Sequence, residues 1–125
     1  MSIVDEWIAK TEEDYSSAVA LKRQRSHPLP NSVCFHCQQC AEKYLKAFLA
    51  HHSVSPPRVH DLHQLVSECE RVDSSMLELD DAAFRLTQFA VEFRYPGMEA
   101  TAEDVVQAIT DVRSVRRMVR RKLQL

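Results

Sequence analysis

The sequence predicts an all-α protein, an antiparallel up-down four-helix bundle with a fifth short helix, forming a single domain over residues 1–125. Three observations favour this architecture. The 125-residue chain contains one glycine, whereas a fold of many short strands needs glycine at its turns. Prolines cluster at three places and leave long segments between them. Within those segments the apolar residues recur every three or four positions, which is the period of an amphipathic helix.

The proline clusters set the limits of the first two helices. They are Pro28 and Pro30, Pro56 and Pro57, and Pro96-Gly97. Before the first cluster, steps of three and four predict a helix whose inner face holds Val4, Ile8, Thr11, Tyr15 and Ala18. The second helix carries a wide apolar face from Val33 to Phe48. Asn31 or Ser32 is expected to cap its start, because both types of side chain accept hydrogen bonds from a first helical turn.

Three further helices are predicted after Pro57. Asp61 is expected to cap a short third helix, and a long fourth helix is expected from about Ser75 to Phe93. Thr101, followed by Asp104, has the spacing of a cap with an acidic first turn at the start of the last helix.

Charge is nearly balanced overall but uneven along the chain. The formal net charge is −2, yet six of the sixteen Lys and Arg residues lie between Arg113 and Lys122. This run predicts a local basic surface that meets RNA or an acidic partner. A solvated helix end that complements the helix dipole is the alternative. The start has no secretory pattern and no apolar run would cross a bilayer, so we expect a cytoplasmic protein with no membrane contact and reduced thiols.

The cysteines of the second helix raise the question of a metal site. Cys34, Cys37 and Cys40 share one side of a helix, with His36 beside them. A single rigid helix does not readily converge three thiolates on one zinc ion, which needs tetrahedral ligands. Since free cysteine behaves as a small hydrophobe, we expect these residues in the core. We predict neither a metal nor a cofactor.

Several motifs occur in a fixed order along nearly the whole chain. They are Trp7 with Asp14 and Ala18, the helix Cys34-Phe35-His36-Cys37-Gln38-Gln39-Cys40-Ala41-Glu42-Lys43-Tyr44-Leu45-Lys46, the turn His60-Asp61-Leu62, and Arg94-Tyr95-Pro96. In this order and spacing, the chain resembles the HEPN family over about residues 5–120. The branch it is most similar to has a helix with His-x-Gln-Gln-x-x-Glu-Lys, a His-Asp-Leu turn and an Arg-Tyr-Pro end.

The resemblance carries functional expectations. HEPN domains are helical bundles that often pair as homodimers. Many cut RNA with an Arg that is followed four to six residues later by a His. Others form a complex with a minimal nucleotidyltransferase, in toxin–antitoxin or related systems, and some have been proposed to bind nucleotides. The resemblance therefore implies a homodimer and a nucleotidyltransferase, nucleotide or RNA partner.

The chain departs from the catalytic pattern after Arg94. Residues 95–101 contain no His, although RNA cleavage needs a group that exchanges protons near neutral pH. Losing such a group typically costs about 10²–10⁴-fold in rate. We therefore predict no catalytic residues and a non-catalytic module whose ligand-binding residues are Arg94, Tyr95, His60, Asp61, Lys43 and Lys46.

Two other functions stay open at the level of sequence. The first is a ribonuclease that uses Arg94 with His60 or His36 from elsewhere in the chain. The second is a scaffolding homodimer, with an apolar patch drawn from Trp7, Phe35, Phe84 or Phe89.

Single residues also have structural alternatives. Glu42, Lys43 and Lys46 form either a solvated polar edge or a strip that contacts phosphate. His36 is expected to be satisfied within the core, in contact with His60 or Asp61 if the short helix folds over the second.

Three further positions also have a structural alternative to a chemical role. His60-Asp61 is either an acid–base pair or a helix start, and Tyr95 either stacks on a base or seals the end of the bundle. Asp14 is expected to contact Lys43 or Arg94.

Overall fold

A computed structural model describes residues 1–90 and 95–125, and most of these residues are helical. The helices are α1 Ile3–Arg23, α2 Pro30–His51, α3 Leu62–Val72, α4 Asp80–Thr87 and α5 Ala102–Lys122. Short 3-10 helices, Ser74–Leu79 and Gln88–Ala90, flank α4. The described residues contain no strand, so the all-α prediction is confirmed. None of their helices is apolar over a stretch that would reach across a bilayer.

Side chains cap three of the five helices, and two of those caps were predicted. Asp61 accepts a hydrogen bond from the backbone N–H of His63 at 3.0 Å. Thr101 and Asp104 form a reciprocal capping box at the start of α5. Ser2 caps α1 in the same way, together with Asp5. Each cap satisfies N–H groups that have no partner within the helix.

The predicted cap of α2 by Asn31 or Ser32 is wrong. The helix begins at Pro30, after Leu29, and no side chain caps it. Proline at the first helical position has its φ already set and lacks the N–H that a cap would satisfy. The Asn31 side chain is used elsewhere, because its Oδ1 accepts from the backbone N–H of Ala100 at 2.7 Å.

The predicted long fourth helix is also wrong, since the chain changes helix type twice within it. Residues Ser74–Leu79 are a 3-10 helix that buries Met76 and Leu79, three positions apart, which is the period of that helix. Asp73 holds its start by accepting from the backbone N–H of Ser75 at 3.0 Å. The predicted end, Phe93, lies outside the described residues.

The core is built around α2, which packs against the four other helices. Its largest fully buried side chains are Tyr44 and Phe48. Thr11 of α1 donates from its hydroxyl to the carbonyl of Cys40 at 2.6 Å, while Asp14, further along α1, contacts the earlier residue His36. This reversed order means that α1 and α2 run antiparallel. The up-down order of the complete bundle stays a prediction.

All four cysteines are free and buried, as expected for core residues. Burial raises the pKa of the Cys34, Cys40 and Cys69 thiols to about 12, and it also raises that of Cys37. They are therefore neutral, inert thiols that pack like small apolar side chains. Over residues 1–90 and 95–125, no three His, Cys, Asp or Glu side chains are placed to hold a metal ion.

Candidate functional site

The central residue of the candidate site is Glu42, on the side of α2 that faces the start of α3. Its Oε1 lies 2.8 Å from Nδ1 of His60, and its Oε2 accepts from the ammonium of Lys46 at 3.2 Å. Gln38 donates to Oε1 of Glu42 at 3.3 Å and to the carbonyl of His60 at 3.2 Å. Gln38, Glu42 and Lys46 are spaced by four, so they share one side of the helix. We call these three residues and His60 the Glu42 cluster.

His60 and Glu42 differ sharply in exposure. The His60 side chain is 71% exposed, whereas the Glu42 side chain is 5% exposed. Because Nδ1 contacts the carboxylate, the ring is oriented and Nε2 is the nitrogen left for an external group. Such a carboxylate–imidazole pair can exchange a proton at Nε2 or, when protonated, bind an anion there. The acid–base reading of this histidine is therefore chemically available.

Of the two alternatives for the polar edge of α2, the solvated edge is wrong for Glu42 and Lys46, which are both buried. The Lys46 ammonium lies 5.9 Å from the centroid of the Trp7 ring, within range of a cation–π contact. The histidine turn covers this side of α2 from one direction and Trp7 of α1 lies against it from another. Lys46 thus has a carboxylate and an aromatic ring as its neighbours, in place of water.

Asp14 joins α1 to α2 through a second polar cluster. Its Oδ1 lies 2.8 Å from Nδ1 of His36, and its Oδ2 accepts from the ammonium of Lys43 at 2.5 Å. The predicted contact between Asp14 and Lys43 is present. The contact of His36 with His60 or Asp61 was expected only if the short helix folds over the second, and in the structure the His36 ring contacts Asp14 of α1 while His60 contacts Glu42. Both lysines of the predicted strip have a carboxylate partner, since Lys43 pairs with Asp14 and Lys46 pairs with Glu42.

The Arg-Tyr-Pro motif is described only from Tyr95 onward, and Arg94 lies outside the described residues. Tyr95 is 68% exposed, so the prediction that it seals the end of the bundle is wrong. The start of α3 lies beside the end of α4, since the backbone N–H of Leu62 donates to the hydroxyl of Thr87 at 3.1 Å. This contact brings the His60-Asp61 turn next to the segment that leads toward the motif.

Exposed apolar side chains are present, but they are not all those predicted. Phe84 of α4 is 75% exposed, and Leu77 in the preceding 3-10 helix is exposed as well. Phe89 is buried, so its predicted place in an apolar patch is wrong. Trp7 and Phe35 are partly buried.

One important residue was missed at the level of sequence, and the burial of another was not predicted. Glu42 was expected on an edge that is either solvated or in contact with phosphate, although its spacing of four from both Gln38 and Lys46 was a signal for one polar row. Glu12 was not singled out at all. In the structure it accepts from Arg116 at 3.0 Å and from Arg120 at 2.9 Å. No local pattern indicates that contact, because more than 100 positions separate the partners.

The comparisons with known proteins place the chain in a family. The HEPN domain family model matches residues 4–122, nearly the full length. Searches of curated proteins and of solved structures give no significant match. The family match agrees with the all-α architecture. The chain therefore belongs to the HEPN domain family.

Proposed function

We propose that this chain is a non-catalytic HEPN domain protein that binds nucleotide or RNA phosphate at Arg94, Tyr95, His60 and Asp61. The observation that carries the proposal is the missing histidine: residues 95–101 contain none, so Arg94 has no imidazole at the spacing that cleavage requires. The family membership supports a function related to nucleotides or RNA.

The residues of this site are expected to contribute unequally to phosphate binding. An arginine can hold a phosphate through two parallel hydrogen bonds, an exposed tyrosine can stack on a base, and protonated His60 can donate from Nε2. The charges of Lys43 and Lys46 are offset by Asp14 and Glu42, so these two lysines contribute little attraction to a phosphate. Asp61 caps α3 and positions the histidine turn. Arg94 is expected to dominate affinity.

We expect ATP, or a short single-stranded RNA, to raise the melting temperature of the protein without being cleaved. At one hundred times its Kd, a ligand stabilises the fold by about 2.7 kcal/mol, which a melting assay detects. Arg94→Ala should weaken binding by roughly tenfold or more, since a hydrogen bond to a charged group contributes about 1.5–3 kcal/mol. His60→Ala should have a smaller effect.

The matched control is His51→Ala, which removes an exposed histidine at the end of α2. Its binding should equal that of the wild type. If titration with both ligands gives neither heat nor a melting shift, the binding proposal fails and a scaffolding homodimer becomes the better account.

A second function is favoured by one observation, the contact of exposed His60 with buried Glu42. This pair could serve a ribonuclease as its acid or base, with Arg94 stabilising the phosphate. In that case RNA would be cut, and His60→Ala would lower the rate by about 10²–10⁴-fold. If the purified protein cleaves RNA and the His60→Ala variant does not, the ribonuclease proposal replaces the non-catalytic one.

The chain is further proposed to act as the partner of a minimal nucleotidyltransferase, of the toxin–antitoxin type, or as a homodimer. Phe84 and Leu77 support a protein interface, because each is a large apolar side chain left exposed that a partner would bury. We expect Phe84→Ser to dissociate a complex that is seen by native mass measurement after co-expression with a neighbouring nucleotidyltransferase. Val106→Ser, at another exposed apolar position, is the control. A monomeric wild-type chain with no co-purifying partner would contradict this role.

A further inference from the structure

The arginines of α5 form two rows with different surroundings. Arg116 and Arg120 turn toward α1, where Glu12 accepts from them at 3.0 and 2.9 Å. Arg113, Arg117 and Arg121 are exposed and lie four positions apart. With a rise of about 1.5 Å per residue, this exposed row repeats at about 6 Å along the helix.

The two rows line a groove beside α1 with a volume of about 480 Å³. The other lining residues are Tyr15 and Leu125, and no Asp or Glu side chain from residues 1–90 or 95–125 lines the groove. The Arg116 guanidinium lies 4.4 Å from the centroid of the Tyr15 ring, and this contact joins the α5 and α1 sides of the groove. Five arginines line the groove, and Glu12 pairs with two of them, Arg116 and Arg120, so the local charge is positive.

Most of the outer row is available to a ligand. The side chains of Arg117 and Arg121 have no hydrogen bond or ion pair with any residue in the described ranges 1–90 and 95–125. Arg113 donates from Nε to the neutral hydroxyl of Tyr15 at 3.3 Å. Like charges four apart on a helix repel each other. A bound polyanion would remove that repulsion.

We propose that this groove binds the phosphate backbone of single-stranded RNA, without sequence preference. A guanidinium pairs bidentately with phosphate. The 6 Å repeat of the outer row is close to the separation of successive phosphates along an extended strand. Protein interfaces are depleted of charged residues at their buried centre, whereas this groove presents guanidinium groups almost throughout. The chemistry therefore favours RNA over an acidic protein.

The groove shares no residue with the site under "Proposed function". The groove is lined by α5, by Tyr15 of α1 and by Leu125, whereas the proposed site draws on the histidine turn and the Arg-Tyr-Pro motif. The two sites can be tested with non-overlapping substitutions.

The test is fluorescence anisotropy of a labelled twelve-nucleotide oligouridylate with the full chain, over a series of salt concentrations. The double variant Arg117→Gln, Arg121→Gln should bind at least tenfold more weakly. Its salt slope should fall by about 1.4, because each neutralised phosphate of a single strand contributes about 0.7. The matched control is Arg23→Gln, Arg25→Gln, which removes two exposed charges near the end of α1. It should bind within about twofold of the wild type, as expected for surface charges beyond screening distance.

Several outcomes would overturn the inference. They are oligouridylate that does not bind at low salt, equal weakening by both double variants, and a glutamate peptide of equal charge that binds as tightly as the RNA. ATP that competes at equal concentration would identify free nucleotide as the ligand and overturn it too. If Arg94→Ala abolishes RNA binding while Arg117→Gln, Arg121→Gln does not, the groove inference fails and the proposed function stands. Unchanged melting of both double variants excludes unfolding as the cause.

Discussion

Replacing Glu42 by alanine is expected to lower the free energy of unfolding by about 3–5 kcal/mol, the cost of breaking a buried ion pair from one side. The Glu42 carboxylate accepts from Lys46, Gln38 and His60. Without it, the buried Lys46 ammonium would lose its carboxylate partner and keep the cation–π contact with the Trp7 ring. Urea unfolding at neutral pH measures the difference.

Two further variants separate this cause from simple loss of packing. The double variant Glu42→Met, Lys46→Met should cost clearly less than Glu42→Ala, because it removes both charges and keeps the volume. Glu13→Ala, at an exposed glutamate of α1, should change stability by less than about 0.5 kcal/mol. If the double variant is as unstable as Glu42→Ala, the unpaired ammonium is not the cause.

Glu12→Gln is expected to act in opposite directions on stability and on RNA affinity. Glu12 accepts from Arg116, from Arg120 and, through a short contact, from the buried Tyr44 hydroxyl. Since hydrogen bonds to charged groups contribute about 1.5–3 kcal/mol each before losses from exposure, we expect the fold to lose about 1–3 kcal/mol. The variant removes the carboxylate that pairs with two arginines of the groove, so oligouridylate should bind severalfold more tightly. This second effect depends on the groove inference.

The effect of Glu12→Gln on stability should also depend on pH. Burial raises the pKa of Glu12, but hydrogen bonds from Tyr44 and Arg116 and the charges of Arg116 and Arg120 outweigh it, so the pKa lies below its ordinary value of 4.5. A carboxyl group with a lowered pKa in the folded state stabilises the fold above the unfolded pKa, and that stabilisation disappears as pH falls through the folded pKa. The difference between wild type and variant should therefore be full at pH 7 and shrink below about pH 4.5.

The neighbouring substitution Glu13→Gln removes the same charge from an exposed position. It should leave the urea midpoint unchanged at all pH values. Equal loss of stability in the two variants would contradict the assigned role of Glu12. Stability lost without any gain in RNA affinity would leave that role intact and count against the groove.

Helix positions could largely be predicted from sequence, because periodicity and caps depend on neighbours a few residues apart. Asp61 and Thr101 cap their helices as predicted. The fourth helix could not be predicted in full, because 3-10 and α-helices bury similar apolar spacings over a single turn. Met76 and Leu79 fit either period, and the hydrogen bonds of Asp73 help to set the 3-10 turn.

The candidate site, too, could be predicted from sequence only in part. The motif residues His60, Glu42 and Lys43 could be found by their order, but their exposure could not. Whether a charged side chain is buried depends on which helix covers it, and that is a contact between distant residues. Lys46 is buried, and its ammonium lies 5.9 Å from the centroid of the Trp7 ring on another helix. His36 contacts Asp14, twenty-two positions away, in preference to the histidine turn that follows it.

By itself, the sequence determined the helical class, most of the helix limits, the placement of cysteine in the core and the lack of a histidine after Arg94. These follow from local spacing and from residue chemistry, which do not require knowledge of the packing. The tertiary structure alone decided which charges are paired and which are left to a ligand. It set Glu42 against Lys46 and Glu12 against two arginines, and it left Arg117 and Arg121 facing solvent among the described residues. The physical reason is that electrostatic partners are chosen by proximity in space, and helix packing brings together residues that no sequence period connects.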